Sequence, residues 1–391
     1  MIEGPGSRRT GEDHLEAVVC GAGTAGLSAA AMLSKARIRV RVLERTAQVG
    51  ASWRRRYDTL RLNTLGWMST QPGLHVGRRY SHFPHRDEWI GYLERYADHH
   101  RLQIQFETEV ARIDRSDPGW RVETSEGPLQ APHVVVATGY DHDPFIPNWP
   151  GREGFTGELV HATEYRNAAP FRGRDVLVVG PNVTGVEIAF YIAEGGADRV
   201  RVAVRTPPNF FPRMWLGVPL NTTAPLLDRL PARLADRIGW LLQRMIYANL
   251  APYGLPRSPR GVASTIRERG MGPAIDPGFV DAVKEGRIGI VAAVDGFDGP
   301  DVLLADGSRI QPEVVIAATG YRRGLEPLVG HLGVLDSDGR PAVSGAKTHP
   351  RAAGLHFIGY ATPLGGQLRQ MRIDAKRIAR AVASSRRATA A

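Results

Sequence analysis

The sequence predicts an α/β protein built from two Rossmann-like domains, and three observations carry that prediction. A short apolar strand, Glu16 to Cys20, runs into a glycine-rich turn and then an alanine- and leucine-rich helix. The same strand, turn and helix return at Asp175 to Glu194. The segment Val134-Val135-Val136-Ala137-Thr138-Gly139-Tyr140 is echoed by Val314-Val315-Ile316-Ala317-Ala318-Thr319-Gly320-Tyr321, so a whole structural plan repeats. At 391 residues, and a prior of roughly 150 per domain, the chain is long enough for two or three units with a large core.

The first fifteen residues are expected to be frayed. The turn Gly21-Ala22-Gly23-Thr24-Ala25-Gly26 opens a helix to about Lys35, and the alternating Arg39 to Glu44 is the next strand, completing one βαβ unit. From Gln103 to Thr138, short alternating strands (Gln103 to Phe106, Trp120 to Glu123) separated by Pro and Gly predict a β-meander that feeds back into the sheet. The second unit has strand Asp175 to Val179, turn Gly180 to Gly185, a helix to about Glu194 and strand Val200 to Arg205. Between Pro225 and Gly254 the period is helical (Leu230, Leu234, Ile238, Leu241, Leu242, Met245), and Pro207-Pro208 with Pro252 to Pro259 marks it as an insertion in the second domain. Leu355 to Gly359 reads as a strand and Gln367 to Ala383 as a helix packing back onto the first domain. The expected division is 1–167 with 318–391 for the first, discontinuous domain, and 168–317 for the second.

Composition excludes several functions. One cysteine, Cys20, permits no internal disulfide, no paired-thiol redox site and no thiolate metal cage. The formal charge of +10 is nearly all arginine, spread along the chain in short clusters such as Arg54-Arg55-Arg56. No nucleic-acid partner is expected from that pattern, and anionic cofactors are a better use of the charge. No apolar run approaches the roughly 18 residues of a membrane span, and Met1 to Glu16 is polar with no signal-type stretch, so a cytoplasmic protein with no membrane partner is expected. His82 and His85 lack an acidic or thiol partner at ligand spacing and read as a surface turn, so no metal is expected.

Three glycines in G-x-G-x-x-G register arise by chance about 0.5 times in so glycine-rich a chain, so position must carry the argument. Here they join a strand to a helix: Gly21 makes the tight turn, Gly23 admits a pyrophosphate, and Gly26 lets helix and strand pack closely. Glu44, 18 residues after Gly26, stands where a ribose diol needs an acceptor. The second copy, Gly180-Pro181-Asn182-Val183-Thr184-Gly185, has Asn182 at the middle glycine position, where its Cβ obstructs close approach by a diphosphate. Arg205, 20 residues after Gly185, suits a 2′-phosphate and so NADP(H). The alternative is a degenerate nucleotide site kept for structure. Two linked dinucleotide sites imply hydride transfer between two cofactors.

Just before the second unit, Phe155-Thr156-Gly157-Glu158-Leu159-Val160-His161-Ala162-Thr163-Glu164-Tyr165 fits F-x-G-x-x-x-H-x-x-x-[YF], a pattern expected by chance only about 0.002 times. With it the chain resembles class B flavin-containing monooxygenases over nearly its full length, most closely the YUCCA-type branch and its bacterial relatives. The resemblance extends to Trp53, Tyr57-Asp58-Thr59-Leu60, both Ala-Thr-Gly-Tyr segments, the helical insertion and Asp374 to Ala379. Departures are Asn182, and Gly50-Ala51-Ser52-Trp53 where many members have paired glycines.

The resemblance implies a glutathione-reductase-like architecture with FAD in the first domain and NADPH in the second. It implies a reaction in which O2 adds to reduced flavin as a C4a-(hydro)peroxide and one oxygen atom passes to a small organic substrate. The transformation is N- or S-oxygenation, or oxidative decarboxylation of a 2-oxo acid. Baeyer–Villiger insertion, an NADPH oxidase and a non-catalytic flavin sensor are the alternatives, and Tyr165 in place of Trp counts against the first. Asn63 falls where many members carry an active-site Asn and the plant YUCCA pattern has His; its amide could bond the oxygen adduct, the flavin or NADP+ without easily supplying a proton. Trp53, Gly359 and Gln367 are expected at the cofactor. His161 reads as a linker residue, and Trp67, Met68, Phe210, Phe211 and Trp215 as core or substrate pocket.

Overall fold

Two all-parallel five-stranded sheets frame the computed structural model, which describes residues 14–77 and 79–390. The frayed terminus expected from sequence lies, through residue 13, outside the described residues. In the first sheet Ala17–Cys20 is central, with Val40–Leu43 on one side and His133–Val136 on the other; Ile104–Gln105 and Leu355–Phe357 form the edges. Both faces are covered, which is why these strands are continuously apolar. Val19, Val42 and Val135 face the helices Thr24–Lys35, Arg86–His99 and Gln367–Ala390, where Trp89, Tyr92 and Leu93 are fully buried. Val18, Cys20, Val134 and Val136 face a three-stranded meander (Val110–Arg115, Trp120–Thr124, Leu129–Ala131) through Trp120 and Val122.

The second sheet copies the first. Asp175–Val179 is central, flanked by Arg199–Val204 and Val314–Ala317, with Gly289–Ala292 and Glu158–His161 at the edges. A second meander, which the sequence pattern had not announced, covers one face (Val294–Asp298, Asp301–Leu304, Arg309–Ile310). Each sheet takes one edge strand from chain outside its own βαβ run: Leu355–Phe357 in the first, Glu158–His161 in the second. The expected division at residue 168 therefore falls too late, because Glu158–His161 pairs in register with Val314–Ala317. The chain crosses between domains twice, and the two crossings lie side by side as an antiparallel pair, Asp143–Pro144 with Tyr321–Arg322.

The insertion is closed at its base by Phe210–Pro212 pairing with Ala274–Asp276. Its main helix, Ala232–Tyr247, matches the expected helical period but turns the apolar stripe outward. Leu241 and Met245 are each 62% exposed, whereas Ala235, Asp236, Gly239 and Tyr247 are buried. The buried Asp236 carboxylate accepts from the backbone of Ala263 (2.8 Å) and Ser264 (3.1 Å), capping helix Val262–Arg269. Gly239 meets Val262, where a Cβ would lie 3.1 Å from Val262 Cγ1. A cap and a close helix contact thus set the rotation of this helix against its apolar stripe. Among the described residues no helix is long and apolar enough to cross a membrane.

His356 lies buried in the edge strand Leu355–Phe357, its Nδ1 3.3 Å from the carbonyl of Gly345. Burial lowers its pKa from 6.5 to about 4. The unfolded chain therefore binds the proton more readily, so stability is complete above pH 6.5 and is lost as pH falls toward 4, by up to about 3 kcal/mol. Denaturant titrations at pH 7 and pH 5 should show this loss in the parent and a smaller one in His356→Gln. An equal loss in both would assign the acid limb elsewhere.

Candidate active site and dinucleotide pockets

The two glycine turns have the same geometry. Gly21 and Gly180 adopt φ of +109° and +112°, which only glycine takes without strain. A Cβ at Gly26 would lie 1.8 Å from the carbonyl oxygen of Gly21, and one at Gly185 would lie 1.8 Å from that of Gly180. Each turn also abuts the repeated segment: a Cβ at Gly21 would lie 2.7 Å from Ala137 O, and one at Gly180 2.6 Å from Ala318 O. Gly23 and Asn182 cap the two helices with extended backbones (φ −80°, ψ −176° and φ −79°, ψ −177°). Asn182 therefore needs no left-handed tolerance, and its side chain makes no capping bond. No protein atom lies within 4 Å of a Cβ placed at Gly23, so the space there is left for a ligand.

A cavity of about 790 Å³ opens from the first turn. Gly21, Gly23, Glu44, Trp53, Gly359 and Gln367, all expected at the cofactor, line it. Gly26 does its work behind, in the helix–strand contact. Glu44 is buried and accepts from Ala22 N (2.8 Å), Thr46 N (3.0 Å) and Thr46 Oγ1 (2.9 Å). Three donors leave one of its roughly four lone-pair positions for a ribose hydroxyl. Trp53 is fixed by its Nε1 on Thr24 Oγ1 (3.2 Å) and an edge contact with Trp89. Gln367 opens the long C-terminal helix and donates to Gly359 O at 2.7 Å.

Sequence reasoning missed the arginines of this cavity. Arg45, Arg55 and Arg56 all line it. Burial, then the neighbouring Arg45 and Arg56, hold the Arg55 guanidinium below its usual range. It makes no hydrogen bond or ion pair among the described residues. A positive pocket with an unpaired guanidinium suits a diphosphate. The signal was the Arg54-Arg55-Arg56 run immediately after Trp53. Arg56 instead serves the domain crossing, bonding Asp141 and, at 3.0 Å, the hydroxyl of Tyr321.

The fingerprint residues explain themselves at the same crossing. His161 places Nε2 3.0 Å from Gly320 O and Nδ1 3.0 Å from Thr163 Oγ1; burial holds its pKa below the usual value, so it is a neutral strut. Phe155 packs on Phe297 at 5.0 Å, and a Cβ at Gly157 would meet the Phe155 ring at 2.5 Å. Tyr165 is buried against Tyr57 and Phe171.

Arg205 is exposed just beyond strand Arg199–Val204 and has no ion-pair partner among the described residues. Asn63 does not line the cavity. Its neighbour Thr64 packs against the turn before Gln367, where a Cβ on Gly366 would lie 3.2 Å from Thr64 Cγ2. Asn63 Oδ1 accepts from Arg213 Nε (3.0 Å) and its backbone carbonyl from Asn221 Nδ2 (2.7 Å), both from the insertion. Trp67 is 65% exposed, Met68 and Phe210 are buried, and none of the five aromatic or Met candidates lines the cavity. The His82–His85 turn starts a helix, with Glu88 accepting from His85 N at 2.7 Å. Among the described residues no group of three or more His, Cys, Asp or Glu is placed to hold a metal ion.

Two such turns on duplicated parallel sheets, the next strand ending in an acidic residue in one copy and a basic one in the other, are the frame of an oxidoreductase with two dinucleotide-binding domains. Residues 18–216 match the family described as pyridine nucleotide-disulphide oxidoreductase. The disulphide chemistry in that description has no counterpart here, since the only cysteine, Cys20, is buried and its thiol is pushed up to about 12. The chain is 32% identical over 350 residues to an indole-3-pyruvate monooxygenase of the YUCCA type from Oryza sativa subsp. japonica, covering 88% of this chain and 86% of the relative. Among solved structures, a flavin-containing monooxygenase from Stenotrophomonas maltophilia superposes with TM-score 0.71 at 22% identity, over 95% of this chain and 99% of that one. A cyclohexanone monooxygenase bound to ε-caprolactone gives TM-score 0.74 at 18% identity, over 96% and 88%. The chain belongs to the class B flavin-containing monooxygenases, which transfer one oxygen atom to a small organic substrate.

The two glycines of the first turn should separate fold from ligand. Gly26→Ala forces a methyl into the Gly21 carbonyl and should lower unfolding free energy by about 2 kcal/mol, within the range for overpacking. Gly23→Ala has free space and should melt like the parent without cofactor, yet load much less flavin. Thermal denaturation of apoprotein and flavin content on purification are the measurements. Equal flavin loading by Gly23→Ala and parent would remove Gly23 from the site.

Proposed function

We propose that FAD occupies the 790 Å³ cavity with its adenine ribose on Glu44, and that NADPH occupies the second turn with its 2′-phosphate on Arg205. The observation that carries this reading is the contrast between a buried carboxylate in one copy of the same turn and an exposed, unpaired guanidinium in the other. The cavity fits FAD in kind: glycines without Cβ at the turn, a spare acceptor on Glu44 and an unpartnered Arg55. Bound FAD, reduced by NADPH, supplies the oxygen-activating chemistry. The chain supplies orientation, with Trp53 and Met371 walling the cavity. The Asp228 carboxylate of the insertion accepts from Leu364 N (3.1 Å) and Gly365 N (2.9 Å), tying the insertion to the turn that precedes Gln367.

The substrate class proposed first is a 2-oxo acid undergoing oxidative decarboxylation, because the rice relative is an indole-3-pyruvate monooxygenase at 32% identity. Asn63 favours N- or S-oxygenation as a second reading, since an amide stands where the plant branch carries His. Mixing the anaerobic flavin-loaded protein with each nucleotide, then admitting oxygen with indole-3-pyruvate or a thioether, decides between them by product mass. Failure of both nucleotides to bleach the flavin would favour a non-catalytic flavin protein.

A charge-assisted phosphate contact is worth roughly 1.5–3 kcal/mol, so NADPH should reduce the flavin at least about tenfold more efficiently than NADH. Arg205→Ala should remove most of that preference, and equal efficiencies in the parent would sink the assignment. Asn182→Gly should tighten NADPH binding, since its side chain holds no structural bond that the change would cost. Weaker binding would mean that the Asn182 amide itself contacts the nucleotide.

A further inference from the structure

Helix Val183–Glu194, which starts at the second glycine turn, carries one buried charged group within a mostly apolar run: Glu187, 1% exposed. An ionised carboxylate at that depth is costly unless paired and fully hydrogen-bonded. Glu187 is both. Its Oε1 accepts from an Arg213 guanidinium nitrogen at 2.5 Å and its Oε2 from the hydroxyl of Tyr57. Three segments meet here: the nucleotide-turn helix of the second domain, the insertion just after Phe210–Pro212, and the loop of the first domain that continues to Asn63. Tyr57 is held in place by its ring contact with Tyr165, the last residue of the fingerprint, at 5.8 Å.

The same guanidinium also donates through Nε to Asn63 Oδ1 at 3.0 Å. Arginine has donors only, so the oxygen of the amide must be the atom that faces it, which settles an orientation that density or packing alone leaves open. Nδ2 is thereby turned away from Arg213, and it donates to no group among the described residues. Asn221 fixes the Asn63 backbone carbonyl, so the side chain is the only part free to turn.

We propose that Arg213, anchored by Glu187 and Tyr57, is a positioning residue that fixes the Asn63 amide with its NH2 presented as a hydrogen-bond donor to the reaction. This rests on the reading of Asn63 as the residue beside the reacting oxygen. The arrangement makes the donor of the first domain depend on a carboxylate of the second: Asn63 is correctly turned only when the nucleotide-binding helix is seated against it. A planar fork is required, because Arg213 must hold two acceptors at once, and a lysine ammonium can keep the pair with Glu187 while releasing Asn63.

The test uses the flavin-loaded enzyme with NADPH and oxygen and no added substrate, and reads the rate of hydrogen peroxide release. Asn63→Asp keeps a partner for Arg213 but deletes the N–H donor, so a purely structural role would leave the rate unchanged; the proposal expects it to rise at least about tenfold. Arg213→Lys should raise it comparably, and should add nothing in an Asn63→Ala background. Melting temperatures of the same flavin-loaded set should show non-additive losses for Arg213→Lys and Asn63→Ala. If the Asn63 variants leak peroxide and Arg213→Lys does not, or if the double variant is additive, Arg213 does not act through Asn63 and the proposal falls while the role of Asn63 stands. If Asn63→Asp and Asn63→Ala both behave as the parent, the reading of Asn63 falls and takes the proposal with it. Should Arg213→Lys fail to load flavin, Glu187→Gln, which keeps neutral partners for Arg213 and Tyr57, replaces it with an intermediate rise expected and a parental rate contradicting.

Discussion

The missing Cβ atoms at Gly26 and Gly185 are the constraint on which the rest of this structure depends. Each lets a helix start so close to the preceding strand turn that a Cβ in its place would lie only 1.8 Å from the turn's carbonyl oxygen. That approach aims the helix N-terminus and its free N–H groups at the space beside Gly23 or Asn182. It also presses each turn against the Ala-Thr-Gly segment of the neighbouring strand, which is why Val134 to Tyr140 and Val314 to Tyr321 repeat along with the glycines. With the backbone alike in both halves, the proposed choice of nucleotide falls to the end of the next strand: Glu44 in one, Arg205 in the other.

The second requirement is that the two sites stay in register. The chain crosses twice between domains, and most of the fingerprint is spent on those crossings. His161 braces Gly320, Arg56 ties Asp141 to Tyr321, and Phe155 seats the first crossing on Phe297. The pattern therefore marks a hinge rather than reacting groups. Its value for recognising the function is indirect, since it braces the two dinucleotide-binding domains against each other.

Much of this was legible because it is local. Both βαβ units, the meander after Gln103, the C-terminal helix and the placing of Gly21, Gly23 and Glu44 at the first cavity follow from period, glycine spacing and strand-end charge. What was not legible depends on long-range placement. Nothing in Glu158–His161 says that it pairs with Val314–Ala317, 156 positions on in register, rather than with the first sheet. The period Leu234, Ile238, Leu241, Met245 shows a helix but not its facing, and the capping carboxylate of Asp236 with the close contact at Gly239 turns the stripe outward. Asn63 was found by resemblance, but its partners Arg213 and Glu187 lie 150 and 124 positions away. The mid-helix Glu187 in the mostly apolar helix Val183–Glu194 was the available clue.

The account holds that this fold directs one atom of molecular oxygen into a small substrate while the other leaves as water. Turnover under ¹⁸O₂ with NADPH and an accepted 2-oxo acid or thioether tests this most directly, read by product mass. One ¹⁸O per product molecule, formed in step with NADPH consumed, is the predicted result. Unlabelled product, with all of the label recovered in hydrogen peroxide, would contradict it.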